Sequence, residues 1–145
     1  DGAGILLQIP HEFILLQGIP VPEKGKYGTG LLFLPKDEKL QDVVLSILIE
    51  EIEKEGLNLM HLRKVPVNSS ILGADAHSTE PDVRQLFITG CTDQALLEKK
   101  LYLVRKRVEK KIQQTNPAHK TFFLARSAFL ASICSLLFKI IFHLL

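Results

Sequence analysis

Few residues of this chain stand at spacings that chemistry requires. Cys91, in Gly90-Cys-Thr92, immediately precedes a long helical pattern, and a helix N-terminus there would lower the thiol pKa toward a nucleophilic thiolate. No histidine lies near it in sequence to act as base, so a structural thiol is the preferred reading. Cys134 falls in an apolar run and reads as a small hydrophobe. Two cysteines give neither a metal-ligand spacing nor a disulfide framework, and a reducing compartment is the default. His11, His61, His77, His119 and His143 pair with no Cys or carboxylate at helical ligand spacing. Asp75-Ala-His77, in a turn, is a weak metal cue, and solvent-exposed loop histidines are preferred over ligands.

Three charged or glycine-rich tracts have a functional reading beside a plainer one. Gly25-Lys-Tyr-Gly-Thr-Gly30 looks like a phosphate cradle, but such loops follow a strand and open a helix, whereas this one leads into a strand; nucleotide binding is rejected. Glu50, Glu51, Glu53 and Glu55 would need burial to act as an acid–base pair, and they read instead as a solvated face. Lys99, Lys100, Arg105, Lys106, Arg107, Lys110 and Lys111 could bind phosphate or an acidic partner, yet a solvated helix face is favoured because the earlier helix is equally rich in Glu. A formal net charge of +2 supports no nucleic-acid reading.

The elements that would position these residues follow from periodicity. Asp1-Gly-Ala-Gly4 followed by Ile5-Leu-Leu7 reads as a tight turn feeding a buried strand that reaches Ile9 and is stopped by Pro10. His11 to Gln17 is a short helical turn, Gly18 to Pro22 a loop, and Tyr27 to Leu34 a strand. Leu40, Val43, Val44, Ile47, Leu48 and Ile52 make an amphipathic helix over Asp37 to Glu55, with Gly56 as its stop. Leu57 to Val67 alternates loosely as a strand, Asn68 to Pro81 is a turn-rich connection, and Val83 to Thr89 is a strand. Thr92 then caps a helix to about Thr115, whose stripe is Leu97, Leu101, Val104, Val108 and Ile112. A last strand is expected near Thr121 to Leu124. This order matches a split β-α-β unit, an antiparallel sheet covered by helices on one face.

With 145 residues, 46% apolar and 23% charged, the chain has one domain's worth of core-forming sequence. Its last 25 residues are far more apolar than the rest. Ser127 to Leu145 is long enough to span a bilayer, but Lys139 and His143 interrupt it. A shifted reading frame or misplaced gene boundary ranks first as the origin of this tail, a membrane segment second and a buried helix third.

The opening stretch Asp1-Gly-Ala-Gly-Ile-Leu-Leu-Gln-Ile-Pro-His-Glu-Phe13, with Tyr27-Gly-Thr-Gly-Leu-Leu-Phe-Leu-Pro35 and Val65-Pro-Val-Asn-Ser69 behind it, resembles the N-terminal glutamine amidotransferase domain of the glutamate synthase large chain. Glu55-Gly-Leu57, Arg63-Lys-Val-Pro-Val67, Glu80-Pro81, Gln85-Leu-Phe-Ile88 and Leu101-Tyr-Leu-Val-Arg-Lys106 occur in the family's order. His61-Leu-Arg63 replaces the family's Gly-Trp-Arg, a packing change. The resemblance implies an α+β fold: a partial N-terminal-nucleophile (αββα) amidotransferase domain with a split β-α-β-like unit over residues 1–124, and an apolar tail over 125–145 that departs from the family.

In that family an N-terminal cysteine attacks the side-chain amide of glutamine, its α-amine acts as base, and an Asn-Gly pair stabilises the oxyanion. The nucleophile is expected before Asp1 and the Asn-Gly pair after Leu145. No catalytic residue is therefore carried over, and the chain alone is expected to be inactive. Asp1, Gly2, Ala3 and Gly4 are expected only to line the active-site neighbourhood. No cofactor is expected in these residues, whereas FMN and an iron–sulfur cluster are implied for the full-length family. The implied partners are glutamine and the remainder of a glutamate synthase chain, with no nucleic acid, and membrane binding is not favoured. The implied location is the cytoplasm, or the plastid of a plant or alga. The alternative is a small α+β interaction domain with a C-terminal membrane anchor. An opening strand without sheet neighbours and an unpartnered tail would make the isolated chain associate.

Overall fold

The computed structural model describes residues 3–115 and 138–142, with side chains for residues 8–114. The elements in order are β1 (Ala3–Leu7), α1 (His11–Leu16), β2 (Tyr27–Leu34), α2 (Glu38–Lys54), β3 (Asn58–Lys64), α3 (Ala74–Thr79), β4 (Asp82–Thr89), α4 (Gln94–Thr115) and β5 (Phe138–Phe142).

A three-stranded sheet in the order β2-β4-β3 is the centre of the fold, and β4 runs antiparallel to both neighbours. β2 and β3 are consequently parallel to each other with β4 between them, which is the split β-α-β arrangement. Alternation sends Leu32, Leu34, Leu86 and Ile88 to one face, where they form the main core with Val44, Leu48 and Ile52 of α2 and Leu97, Leu101, Val104, Val108 and Ile112 of α4. β3 reaches this face with Leu59 and Leu62, three residues apart, because its register with β4 shifts between Leu59 and His61. Tyr27 and Phe87 point to the other face, where Ile14 and Ile19 of the opening segment close a smaller core.

Both large helices have defined ends. The Asp37 carboxylate accepts from the backbone N–H of Lys39 at 2.9 Å and of Leu40 at 3.4 Å. At the other end of α2, Gly56 has φ +68°, its N–H donates to Glu53 O, and Leu57 N–H donates to Ile52 O. This is the glycine-terminated helix end that the sequence implies. The cap of α4 is Asp93 rather than Thr92: its carboxylate accepts from Leu96 N–H at 2.9 Å. Both residues are cap formers, and the shorter-reaching Thr92 lies one position too early to meet the first free N–H groups.

Charge joins the two helices. Lys111 Nζ lies 2.6 Å from Glu51 and 3.0 Å from Glu50, and Lys54 lies 3.2 Å from Glu51. Arg107 pairs with Glu55, and Lys100 Nζ donates to Glu55 O at 2.6 Å. The expected solvated faces are thus corrected in part: Glu51 is buried, with 3% of its side chain exposed, because the acidic flank of α2 meets the basic flank of α4.

Other departures have local causes. The connection from Asn68 contains a 3-10 turn (Ser69–Ile71) and α3, too short for periodicity to reveal. Ser78 Oγ donates to Asp75 O, and Lys36 Nζ donates to His77 O, closing that helical turn onto the chain before α2. Phe138–Phe142, read from sequence as apolar tail and at most as helix, is an antiparallel partner of β1, with Ala3 opposite Phe142 and Leu7 opposite Phe138. Its Ile140-Ile141 pair is β-branched and suits an extended chain. The opening strand therefore has a neighbour, contrary to expectation. The strand expected near Thr121 to Leu124 lies outside the described residues.

Helix α4 lies against β2 at Gly28, where an added Cβ would stand 2.3 Å from Leu101 Cδ1. Gly28→Ala is expected to destabilise the chain by about 1–3 kcal/mol through overpacking. Combining it with Leu101→Ala should cost less than the sum of the two single changes, as read by urea unfolding. The Lys111 hydrogen bond holds the Glu51 carboxyl below its ordinary value of 4.5. A lowered folded-state pKa gives stability that is complete above the unfolded-state value and is lost as pH falls through the folded one. Stability is therefore expected to decline on acidification below about 4.5, and Glu51→Gln should flatten that decline in a pH series of urea midpoints.

Candidate functional site

Where the opening stretch ends, the chain borders a cleft of about 230 Å³. Gln8 and Ile9 follow β1, His11 begins α1, Lys24 and Gly25 precede β2, and Gln94 and Glu98 project from the first turns of α4. Its floor is Gly28, Leu97 and Leu101, so the absence of a side chain at Gly28 sets how closely α4 closes it.

His11, Tyr27, Lys24, Gln94 and Glu98 each have a polar partner. His11 Nδ1 and the Tyr27 hydroxyl are hydrogen-bonded at 3.0 Å, with ring centroids 5.8 Å apart. Tyr27 stacks on Phe87 at 6.4 Å, and Phe87 on His61 at 6.1 Å, so a row of four rings crosses the second face of the sheet. Burial raises the Tyr27 phenol above its ordinary value, so it stays protonated at neutral pH. Gln94 Nε2 donates to Glu98 Oε1 at 3.0 Å, and Lys24 lies 3.7 Å from Glu12. These groups could orient a small polar molecule. Among the described residues the lining includes no cysteine, serine or threonine.

The residues singled out by sequence are scattered. Asp1 and Gly2 lie outside the described residues, and Ala3 and Gly4 open β1 opposite Phe142 and Ile141. Cys91 packs partly buried against the main core and its thiol donates to Asp93 O at 3.3 Å, a structural placement. Cys134, His119 and His143 fall outside the described residues. His11 and His61 are half-buried ring partners in a helix and a strand, which corrects their reading as exposed loop residues. His77 is exposed, in α3 rather than a turn, with Nδ1 3.5 Å from Glu80, which corrects the reading that no histidine has a carboxylate at helical spacing. Among the described residues, no three of His, Cys, Asp and Glu come together at metal-binding distance. No spacing or motif signals the His11–Tyr27 contact, which joins positions 16 residues apart through a loop.

The fold and this site define an α+β unit built on a three-stranded antiparallel sheet. Residues 1–137 match the family model of class-II glutamine amidotransferases, and the chain belongs to that family. It is 38% identical over 114 residues, 75% of the chain, to the glutamate synthase [NADPH] large chain of Bacillus subtilis. It is 32% identical over 133 residues, 88% of the chain, to ferredoxin-dependent glutamate synthase 2, chloroplastic, of Arabidopsis thaliana. It is 35% identical over 132 residues, 80% of the chain, to glutamate synthase [NADH] of Saccharomyces cerevisiae. The chain spans 8% of the length of the first two relatives and 6% of the third. The alternative of an interaction domain with a membrane anchor gains no support from these matches. No helix among the described residues is long and apolar enough to cross a membrane.

Tyr27→Phe removes the hydroxyl that holds His11 and is expected to cost about 0.5–1.5 kcal/mol in urea unfolding. The His11 ring resonances should move in a proton–nitrogen NMR spectrum, while the amide resonances of β3 stay in place.

Proposed function

We propose that this chain forms part of the glutaminase unit of a glutamate synthase, which hydrolyses glutamine to glutamate and ammonia for the reductive amination of 2-oxoglutarate. The observation that carries this reading is the class-II amidotransferase match over residues 1–137. The relatives' names support the glutamate synthase assignment within that class, and glutamine is accordingly the proposed substrate.

In this reading residues 1–145 scaffold the reaction and do not perform it. The amide carbon is attacked by a thiolate supplied outside these residues, and Asp1 to Gly4 line its neighbourhood. Cys91 supports the scaffold role, since its thiol is hydrogen-bonded to Asp93 O and packed on the core. Alone the chain is inactive, and its partner is the remainder of the longer synthase chain. The amidotransferase part takes in residues 1–124 and the apolar tail follows over 125–145, with Phe138–Phe142 of that tail paired to β1. We place the protein in the cytoplasm, or in a plastid if its source is a plant or alga; the Arabidopsis relative is named as chloroplastic.

FMN and an iron–sulfur cluster belong, in this proposal, to other parts of the full-length protein. The residues present do not fit an iron–sulfur cluster: Cys91 is the one cysteine among the described residues, and a cluster takes several thiolates. The described cleft has an apolar floor, and its one lysine, Lys24, lies 3.7 Å from Glu12, so it offers no cradle for a flavin phosphate.

Two assays test the proposal. The 145-residue chain is expected to release no ammonia from glutamine; release that Cys91→Ser abolishes would overturn the scaffold role. Exchanging the matching segment of the Bacillus subtilis large chain for this one should leave glutamine hydrolysis within about tenfold of the parent. A soluble exchange variant with folded-state circular dichroism but no glutamine hydrolysis would count against the family function.

A further inference from the structure

We propose that the outer face of the α2–α4 layer binds a second copy of this chain in a two-fold arrangement. On each helix the core residues point to the sheet, so at 100° per residue the outward positions include Lys39, Asp42, Ser46 and Glu53 on α2, and Lys99, Lys106 and Lys110 on α4. All seven are exposed. Apart from Lys39, the two stripes carry opposite charge.

Between the helices charge is matched, as Glu50 and Glu51 meet Lys111 and Glu55 meets Arg107. On the outer face it is not. Among the described residues, the side-chain charges of Asp42, Glu53, Lys99 and Lys110 have no ion-pair partner, and Lys106 has only a 3.7 Å contact with Glu109 while lying over the Tyr102 ring. Exposed apolar side chains flank both stripes, with Val43 and Ile49 on α2 and Leu96 and Tyr102 on α4.

The internal ion pairs also fix the level at which the stripes face each other. Advancing along α2 from Glu50 to Glu55 moves the partner on α4 back from Lys111 to Arg107 and Lys100, so the helices are antiparallel and Glu53 is level with Lys106 to Lys110. A two-fold axis along the helices, in the plane of the outer face, lays α2 of one copy on α4 of the other at the same level. Glu53 of each copy then meets Lys106 and Lys110 of its mate, and the contact occurs twice. Any pairing of α4 on α4 sets lysine against lysine. Lys39 is the one outward cation on α2, and it lies about 21 Å from Glu53 along the helix.

Exposed ion pairs are individually weak and screened by salt, so the dimer is expected to be reversible and salt-sensitive. Sedimentation equilibrium of the full chain should show monomer and dimer at low salt, with the dissociation constant rising about tenfold or more at about 0.5 M salt. Lys106→Glu with Lys110→Glu should weaken the dimer about tenfold or more. Adding Glu53→Lys to that pair should restore it, with circular dichroism reporting that each variant is folded. The proposal is overturned by a monomer at all concentrations up to about 1 mM, by association indifferent to salt and charge reversal, or by failure of the triple variant to recover the dimer.

Discussion

The approach of α4 to β2 at Gly28 is the constraint on which the rest of the structure depends. With no Cβ in the way, Leu101 enters the sheet surface itself, and the stripe from Leu97 to Ile112 follows it onto Leu32, Leu34, Leu86 and Ile88. That position of α4 brings Lys111, Arg107 and Lys100 to α2, and it fixes Gln94 and Glu98 on the rim of the cleft. A side chain at residue 28 would hold the helix off and widen every one of these contacts.

The helix pair illustrates how a charge run acquires a structural purpose. A buried carboxylate such as Glu51 is tolerable only with its partners in place, and Lys111 and Lys54 both reach it. The same rows of Glu and Lys that look interchangeable on paper divide into an inner flank that locks one helix against the other and an outer flank that leaves charge available. Specificity of helix packing is the clearest return from this division, since sliding α2 by one turn would part Glu51 from Lys111.

Much of the fold was legible in the sequence. The amphipathic stripes of α2 and α4 are long enough for their period to be unmistakable, Gly56 is the only kind of residue that readily adopts φ +68°, and strand–helix–strand–strand–helix order implies the split β-α-β sheet. What escaped has physical reasons. The bulge between Leu59 and His61 breaks the alternation of β3, so that Leu59 and Leu62 share a face. The burial of Glu51 depends on a lysine 60 residues away, and the partner of β1 lies beyond residue 137. The cleft draws its lining from three separate stretches, and the row of rings from His11 to His61 exists only once the sheet has formed. Family resemblance named the protein class from short segments such as Asp1-Gly-Ala-Gly4, a level that periodicity does not reach.

The strand order has a consequence for synthesis. β4 is the central strand, yet it is the last of the three to leave the ribosome, after both strands that flank it. β2 and β3 cannot pair with each other in the finished sheet, so each stays unzipped until residues 82–89 arrive between them. During that interval the nascent chain carries two hydrophobic strands with open hydrogen-bonding edges, and α2, already complete, is the element available to shield them. Quality control of such a chain would act on this waiting state rather than on the folded one.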